Sequence, residues 1–109
     1  MAETYKNGYQ DVATSYTAIY TCPSSTKSIV KSLLITNVDG SNSATISAKV
    51  LDSDNSTEAL IASTIEVPAN SRIDLCADSL LFLEADDDVQ LLASATGDLE
   101  AFISVLEIS

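Results

Sequence analysis

Two short acidic stretches are where residue type and spacing in this sequence crowd enough ligands for metal chemistry. Asp52-Ser53-Asp54-Asn55-Ser56 opens with the Asp-x-Asp-x-Ser pattern of an EF-hand loop, and Glu84-Ala85-Asp86-Asp87-Asp88 sets four carboxylates in five residues. Calcium takes roughly six to eight oxygens from such groups. The EF-hand pattern does not continue: Thr57 stands where the glycine belongs, Ser63 where the bidentate glutamate belongs, and strand-like sequence flanks the loop. What remains is a cation site that needs both loops to converge, with Asp52, Asp54, Glu84, Asp86, Asp87 and Asp88 as candidate ligands. The plainer expectation for a charge run in a turn is a solvated surface.

Little else in the chain is equipped for catalysis. It has no histidine, which removes the commonest general base, the usual partner of a nucleophilic Ser or Cys, and the commonest metal ligand. Gly40 and Gly97 stand alone rather than in a phosphate-cradling loop, so no cofactor is expected. A glycosidase-like carboxylate pair is allowed by residue type. Against it stand the absence of tryptophan to stack on a sugar and the gathering of acids in turns. The expectation is that the protein is not an enzyme.

Sixteen acidic residues against five basic ones give a formal net charge of −11. That balance opposes binding to a phosphate backbone and leaves two roles, solubility or complementarity to a basic partner. No apolar run reaches the roughly 18 residues of a spanning helix, so no membrane partner is expected. The start, Met1-Ala2-Glu3-Thr4, lacks the features of a secretion signal. The sequence thus predicts a soluble product of the cytoplasm, with Cys22 and Cys76 as free thiols that match no zinc spacing.

The elements that must position these residues are strands. Period-2 alternation, β-branched residues and regularly spaced turn signals dominate, and no stretch keeps a capped helical period. At 109 residues there is room for one domain. The sequence predicts an all-β antiparallel β-sandwich or jelly-roll-like barrel of about eight short strands over residues 13–109, preceded by residues 1–12 as an N-terminal arm or edge strand. Ala44 to Val50 alternates most cleanly, and Ser28 to Val38 is apolar on both faces, as a central strand covered on each side would be. Asp39-Gly40 reads as a hairpin turn that makes Ile35 and Ile46 antiparallel neighbours, and Thr96-Gly97-Asp98 as another. Past Val105 the apolar positions shift to Leu106 and Ile108, a phase change that predicts a bulge or a sheet switch. The expected core comprises Ile29, Leu33, Ile35, Ile46, Val50, Ile61, Ile65, Leu91 and Ile103.

Tyr5, Tyr9, Tyr16 and Tyr20 are four of the six aromatic residues and all lie in the first fifth of the chain. Tyr16 and Tyr20 share a predicted strand face, fitting either a sandwich rim or an interface. Tyr5 and Tyr9 sit, with Lys6, in a segment without core periodicity, and there an interface is expected, because tyrosine suits the boundary between an apolar contact and water.

Tyr20-Thr21-Cys22-Pro23-Ser24-Ser25-Thr26-Lys27-Ser28-Ile29-Val30, followed by Leu33-Leu34-Ile35-Thr36-Asn37, is a turn into a long apolar strand that ends in asparagine. Val67-Pro68-Ala69-Asn70 is a later turn, and Ser104 to Ser109 closes the chain. In these patterns the sequence resembles small virion structural proteins of tailed bacteriophages. The resemblance implies a β-sandwich on the outside of a particle, as a capsid decoration (cement) protein or as part of the neck and tail-fibre apparatus. The implied partners are a major capsid protein or another virion protein, with the chain made in the host cytoplasm and assembled as a homo-oligomer, a trimer by the symmetry of such lattices. A calcium-assisted carbohydrate-binding module is the alternative from another class.

Overall fold

A computed structural model describes residues 2–54 and 56–109. Among these residues nine strands follow one another: β1 Glu3–Asp11, β2 Thr17–Thr21, β3 Lys27–Asn37, β4 Ala44–Asp52, β5 Thr57–Val67, β6 Arg72–Asp74, β7 Leu81–Leu83, β8 Asp88–Ala93 and β9 Leu99–Ile108. One antiparallel sheet has the order β1-β9-β3-β6, with β7 also on β3; the other has the order β2-β8-β4-β5. The short strands β6 and β7 flank one edge of β3, at Leu34–Thr36 and Ser28–Val30, and so act as one interrupted strand. The Asp74 carboxylate bridges the break, accepting the backbone N–H of Leu33 at 3.0 Å and of Cys76 at 2.9 Å. Counted this way the sandwich has eight strands, and the chain passes between sheets at every connection except β4 to β5, the winding of a jelly roll.

That winding corrects two expected hairpins. β3 and β4 lie in different sheets, so Ile35 and Ile46 are not strand neighbours; both are fully buried and enter the core from opposite sides. A two-residue hairpin turn of the Asp-Gly kind needs positive φ at its centre, and Gly40 is not among the positive-φ residues. Side chains hold the crossover instead: Asp39 Oδ1 accepts the N–H groups of Ser41 and Asn42, and the buried Asn37 donates to the carbonyls of Asn42 and Val67. Gly97 does take a positive φ of 82°, but it carries the chain from β8 in one sheet to β9 in the other.

The core is filled by Val30, Leu33, Ile35, Leu99, Ile103 and Val105 from the first sheet and by Ile46, Ala48, Val67, Val89 and Leu91 from the second. Gly8 faces inward on β1, where a Cβ would lie 3.3 Å from both Ile103 Cγ2 and the Ile19 carbonyl; its lack of a side chain lets the edge strand close onto the sandwich.

Bulges account for the misplaced core positions. The ladder between β3 and β9 slips by one between Val30 and Ser32, so Lys31 is the extra residue. Beyond it the inward phase moves to Val30 and Ser28, and Ile29 turns to the outer face, half-exposed. β9 itself keeps its period. Its inward position after Val105 is Glu107, whose carboxylate accepts the Tyr20 hydroxyl at 2.6 Å, and Leu106 and Ile108 fall outside by ordinary alternation. On β5 two further slips, with Thr64 at a φ of 46° and its N–H on Ser47 Oγ, leave Ala62 and Val67 inside and Ile65 outside at 40% exposure. Val50 and Ile61 are half-buried against the core, while Leu33, Ile35, Ile46, Leu91 and Ile103 are fully buried.

Candidate functional site

The outer face of the first sheet follows from its register. The residues of β1 that alternate with the inward Gly8 and Gln10 are Tyr5, Asn7, Tyr9 and Asp11. Tyr5 pairs with Leu106 on β9, Leu106 with Ile29 on β3, and Ile29 with Phe82 on β7, an apolar row across the whole sheet. The next row along the strands is small and polar, Asn7, Ser104 and Ser32. The one after is apolar again, Tyr9, Phe102 and Leu34. Four of the six aromatic residues therefore share one face, with Tyr5 78%, Phe82 74%, Tyr9 59% and Phe102 41% exposed. Contiguous apolar patches of this kind mark interaction surfaces.

Charge on this face is sorted by strand. Glu3, Asp11 and Glu100 lie on β1 and β9, whereas Lys27, Lys31 and Arg72 lie on β3 and β6. The bulge residue Lys31 lines a shallow groove with Tyr5, Lys6, Asn7 and Ser104. Among the described residues, the recorded ion pair is elsewhere, Lys49 to Glu58 at 2.9 Å. The Tyr9 hydroxyl donates to Asp11 at 2.6 Å, and that bond to a carboxylate pushes its pKa up to about 12.

Of the expected interface residues, Tyr5 and Tyr9 are thus on this face, whereas Lys6 takes the alternate phase of β1, opposite Val105, and lines the groove beside it. Phe82, Phe102, Ile29 and Leu34 join them. Their signal in the sequence is alternation alone: Phe102 falls between the inward Ala101 and Ile103, but which residues of other strands stand beside it depends on pairings across the chain. Tyr16 and Tyr20 go elsewhere. Lys49 sits 4.2 Å over the Tyr16 ring. Tyr20 bonds to Ser28 and Glu107, and its pKa is raised, first by burial.

The two acidic loops do converge at one end of the sandwich. Asp52, Glu84 and Asp87 bring a carboxylate oxygen each to within 4.8 Å of one another. Asp87 is buried and already engaged: it accepts the Ser53 N–H at 3.0 Å and the Glu84 N–H at 2.9 Å, stapling the loops together. Asp54 raises the pKa of Glu84 by like-charge repulsion. Asp86 takes the Ser24 hydroxyl, and Asp88 takes the Gln90 amide. Three carboxylates supply about half of the oxygens calcium prefers, and the observed hydrogen bonds give this cluster a structural task.

Cys22 and Cys76 are unpaired and buried, at 0% and 4% exposure. Burial raises both thiol pKa values, that of Cys76 to about 11.

No protein-family model matches the chain, and no curated protein matches its sequence. Solved structures do match its fold. The chain is similar to a capsid protein of Helicobacter pylori bacteriophage KHP30, in its acidic stable capsid structure, with TM-score 0.56 and 8% identity over 100% of this chain and 94% of that one. It is similar to a subunit of Bacillus endospore appendages, a family of disulfide-linked pili, with TM-score 0.55 and 17% identity over 99% and 87%. It also matches a protein of infectious bursal disease virus, Gx strain, with TM-score 0.53 and 9% identity, covering 97% of this chain and 30% of that one. The fold is a jelly roll shared with viral capsid proteins.

Proposed function

We propose that this chain is a non-enzymatic structural protein of a phage virion, a capsid decoration (cement) protein made in the host cytoplasm and bound to a major capsid protein or another virion protein. The observation that carries this reading is a capsid-type jelly roll whose one apolar, aromatic outer face lies open in a chain of net charge −11. Such a chain stays soluble until the face is covered. Tyr5, Lys6 and Tyr9 belong to that contact, and the protein acts as a homo-oligomer, for which the resemblance alone implies a count of three. A neck or tail-fibre place is the alternative within the particle. The pilus-type reading, assembly through disulfides, fits less well, because both thiols are buried.

The test is sedimentation of purified full-length protein with phage particles lacking it. Saturable binding at a fixed ratio to the major capsid protein, with particles that then resist heat better, supports decoration. Binding only to isolated tails moves the protein to the neck or tail. A chain that neither binds nor co-purifies with any particle contradicts the virion reading. A glycan-binding signal that a chelator abolishes would favour the carbohydrate module built on Asp52, Glu84 and Asp87.

A further inference from the structure

We infer that the outer face of the first sheet is covered by a second copy of this chain, packed face to face about a twofold axis that runs parallel to the strands between β9 and β3. This deepens the homo-oligomer reading above by naming the contact, and it concerns the isolated chain whether or not a virion receives it.

The face is self-complementary. An isologous interface requires that if residue i meets residue j of the partner, j meets i. A twofold along the strands keeps each row opposite itself and exchanges the two halves of the sheet. In the first apolar row Tyr5 then meets Phe82 of the second copy, and Leu106 meets Ile29; in the second, Phe102 meets Leu34. The charges obey the same exchange. Asp11, Glu100, Thr36 and Arg72 form one row, so Asp11 of each copy meets Arg72 of the other. Lys27 and Lys31 of one copy come over the half that holds Glu3 and Glu100 in the other. Two acids lie on or beside the basic half: Asp74 is already committed to the backbone of Leu33 and Cys76, and Glu84, past the end of β7, brings its carboxylate to the Asp52 and Asp87 cluster.

A chain at −11 repels its copies through most of its surface. This face, with three acids against three bases on β1, β9, β3 and β6 apart from Asp74, is where two copies can approach. Four strands spaced about 4.8 Å and five rows spaced about 7 Å give a footprint of about 670 Å² per copy. Both copies together bury about 1,300 Å², at the lower end of the range for a specific interface. Sheets so aligned pack about 10 Å apart with side chains interleaved. No residue pattern in the chain sets a threefold count, whereas this one sets a twofold.

The experiment is sedimentation equilibrium of the full-length chain from micromolar to millimolar concentration, with circular dichroism as the check on folding. The wild type should dimerise. Phe102→Asp should be folded and monomeric. Arg72→Asp and Asp11→Arg should each weaken the dimer about tenfold or more, and the double variant Asp11→Arg/Arg72→Asp should recover it, because the exchanged charges meet again across the axis. A wild type that stays monomeric at millimolar concentration, or a dimer indifferent to Phe102→Asp and to the single charge reversals, overturns the inference. So does a double variant no better than the singles. A monomeric wild type that still saturates phage particles would overturn this contact and leave the virion reading standing; a dimer that rescues as described but never binds particles would do the reverse.

Discussion

The two sheets present outer faces of different character, although their inner faces are alike. On the second sheet Lys49 is spent within the chain, bonded to Glu58 at 2.9 Å and stacked over Tyr16. Thr45 and Gln90 alternate there with buried neighbours, and the exposed Leu60 stands on the irregular strand β5. On the first sheet, aromatic and aliphatic side chains line up in two rows across the strands, and Lys27, Lys31 and Arg72 form no ion pair among the described residues. On one face the lysine is paired within the chain, and the other keeps apolar area and unpaired charge of both signs. In a folded chain, the second condition is what an interface needs before its partner arrives.

The largest expected effect separates inside from outside on a single strand. Ile103→Ala on β9 should cost about 2 to 5 kcal/mol, since the residue is fully buried at the centre of the core. Its neighbour Phe102→Ala should change the stability of the monomer by about 0.5 kcal/mol or less, while reducing self-association. Chemical denaturation at low protein concentration measures both. An equal loss for the two variants would mean that Phe102 is a structural residue, and the contrast between the faces would fail.

A second prediction compares the cations. Lys49→Met removes the ion pair with the partly exposed Glu58 and the contact over Tyr16, and should lower stability by about 0.5 to 1 kcal/mol. Lys31→Met, at the bulge on the other face, should leave the melting midpoint of the monomer unchanged within error. If Lys31 proved the more stabilising, its charge would be satisfied within the chain rather than kept for a partner.

Much of this architecture was legible in the sequence, and what was not has a common physical origin. The all-β class, most strand positions and the inward face of Ala44–Val50 follow from alternation, which is local. The face of Ile29 and Ile65 depends on bulges at Lys31 and around Thr64, where one inserted residue reverses every later side chain. The sequence shows no mark of those insertions. Asp39-Gly40 looks like a hairpin, yet the side chains of Asn37 and Asp39 hold a crossover between sheets. The candidate interface was half legible: Tyr5 and Tyr9 stand out by composition, but Phe82 and Phe102 join them only through pairings between β1, β9, β3 and β7. The convergence of Asp52, Glu84 and Asp87 likewise needs loops more than 30 residues apart to meet.

Two smaller effects test the ends and interior of the sandwich against the face. Cys22 and Cys76 are buried with raised pKa values, so both stay protonated at neutral pH and should alkylate slowly in the native protein. Denaturation without reductant should release two reactive thiols per chain; rapid native labelling would show that the core opens around them. At the acidic end, the raised pKa of Glu84 means that the folded state holds its proton more tightly than the unfolded chain. Through this group, stability falls as pH rises from the ordinary glutamate range through the raised value. Glu84→Gln should therefore melt slightly higher than wild type at pH 7 and at the same temperature in acid, where both side chains are neutral. A difference that persisted in acid would assign the effect to packing rather than to repulsion by Asp54.

The most direct test of the central claim, that the first sheet's outer face is the assembly surface, is hydroxyl-radical footprinting of the chain before and after assembly, read by mass spectrometry at each oxidised side chain. Tyr5, Tyr9, Phe82 and Phe102 should lose reactivity together on assembly, while Leu60 on β5 of the other sheet stays as reactive as before. Protection of Leu60 with the four aromatics unchanged would contradict the account.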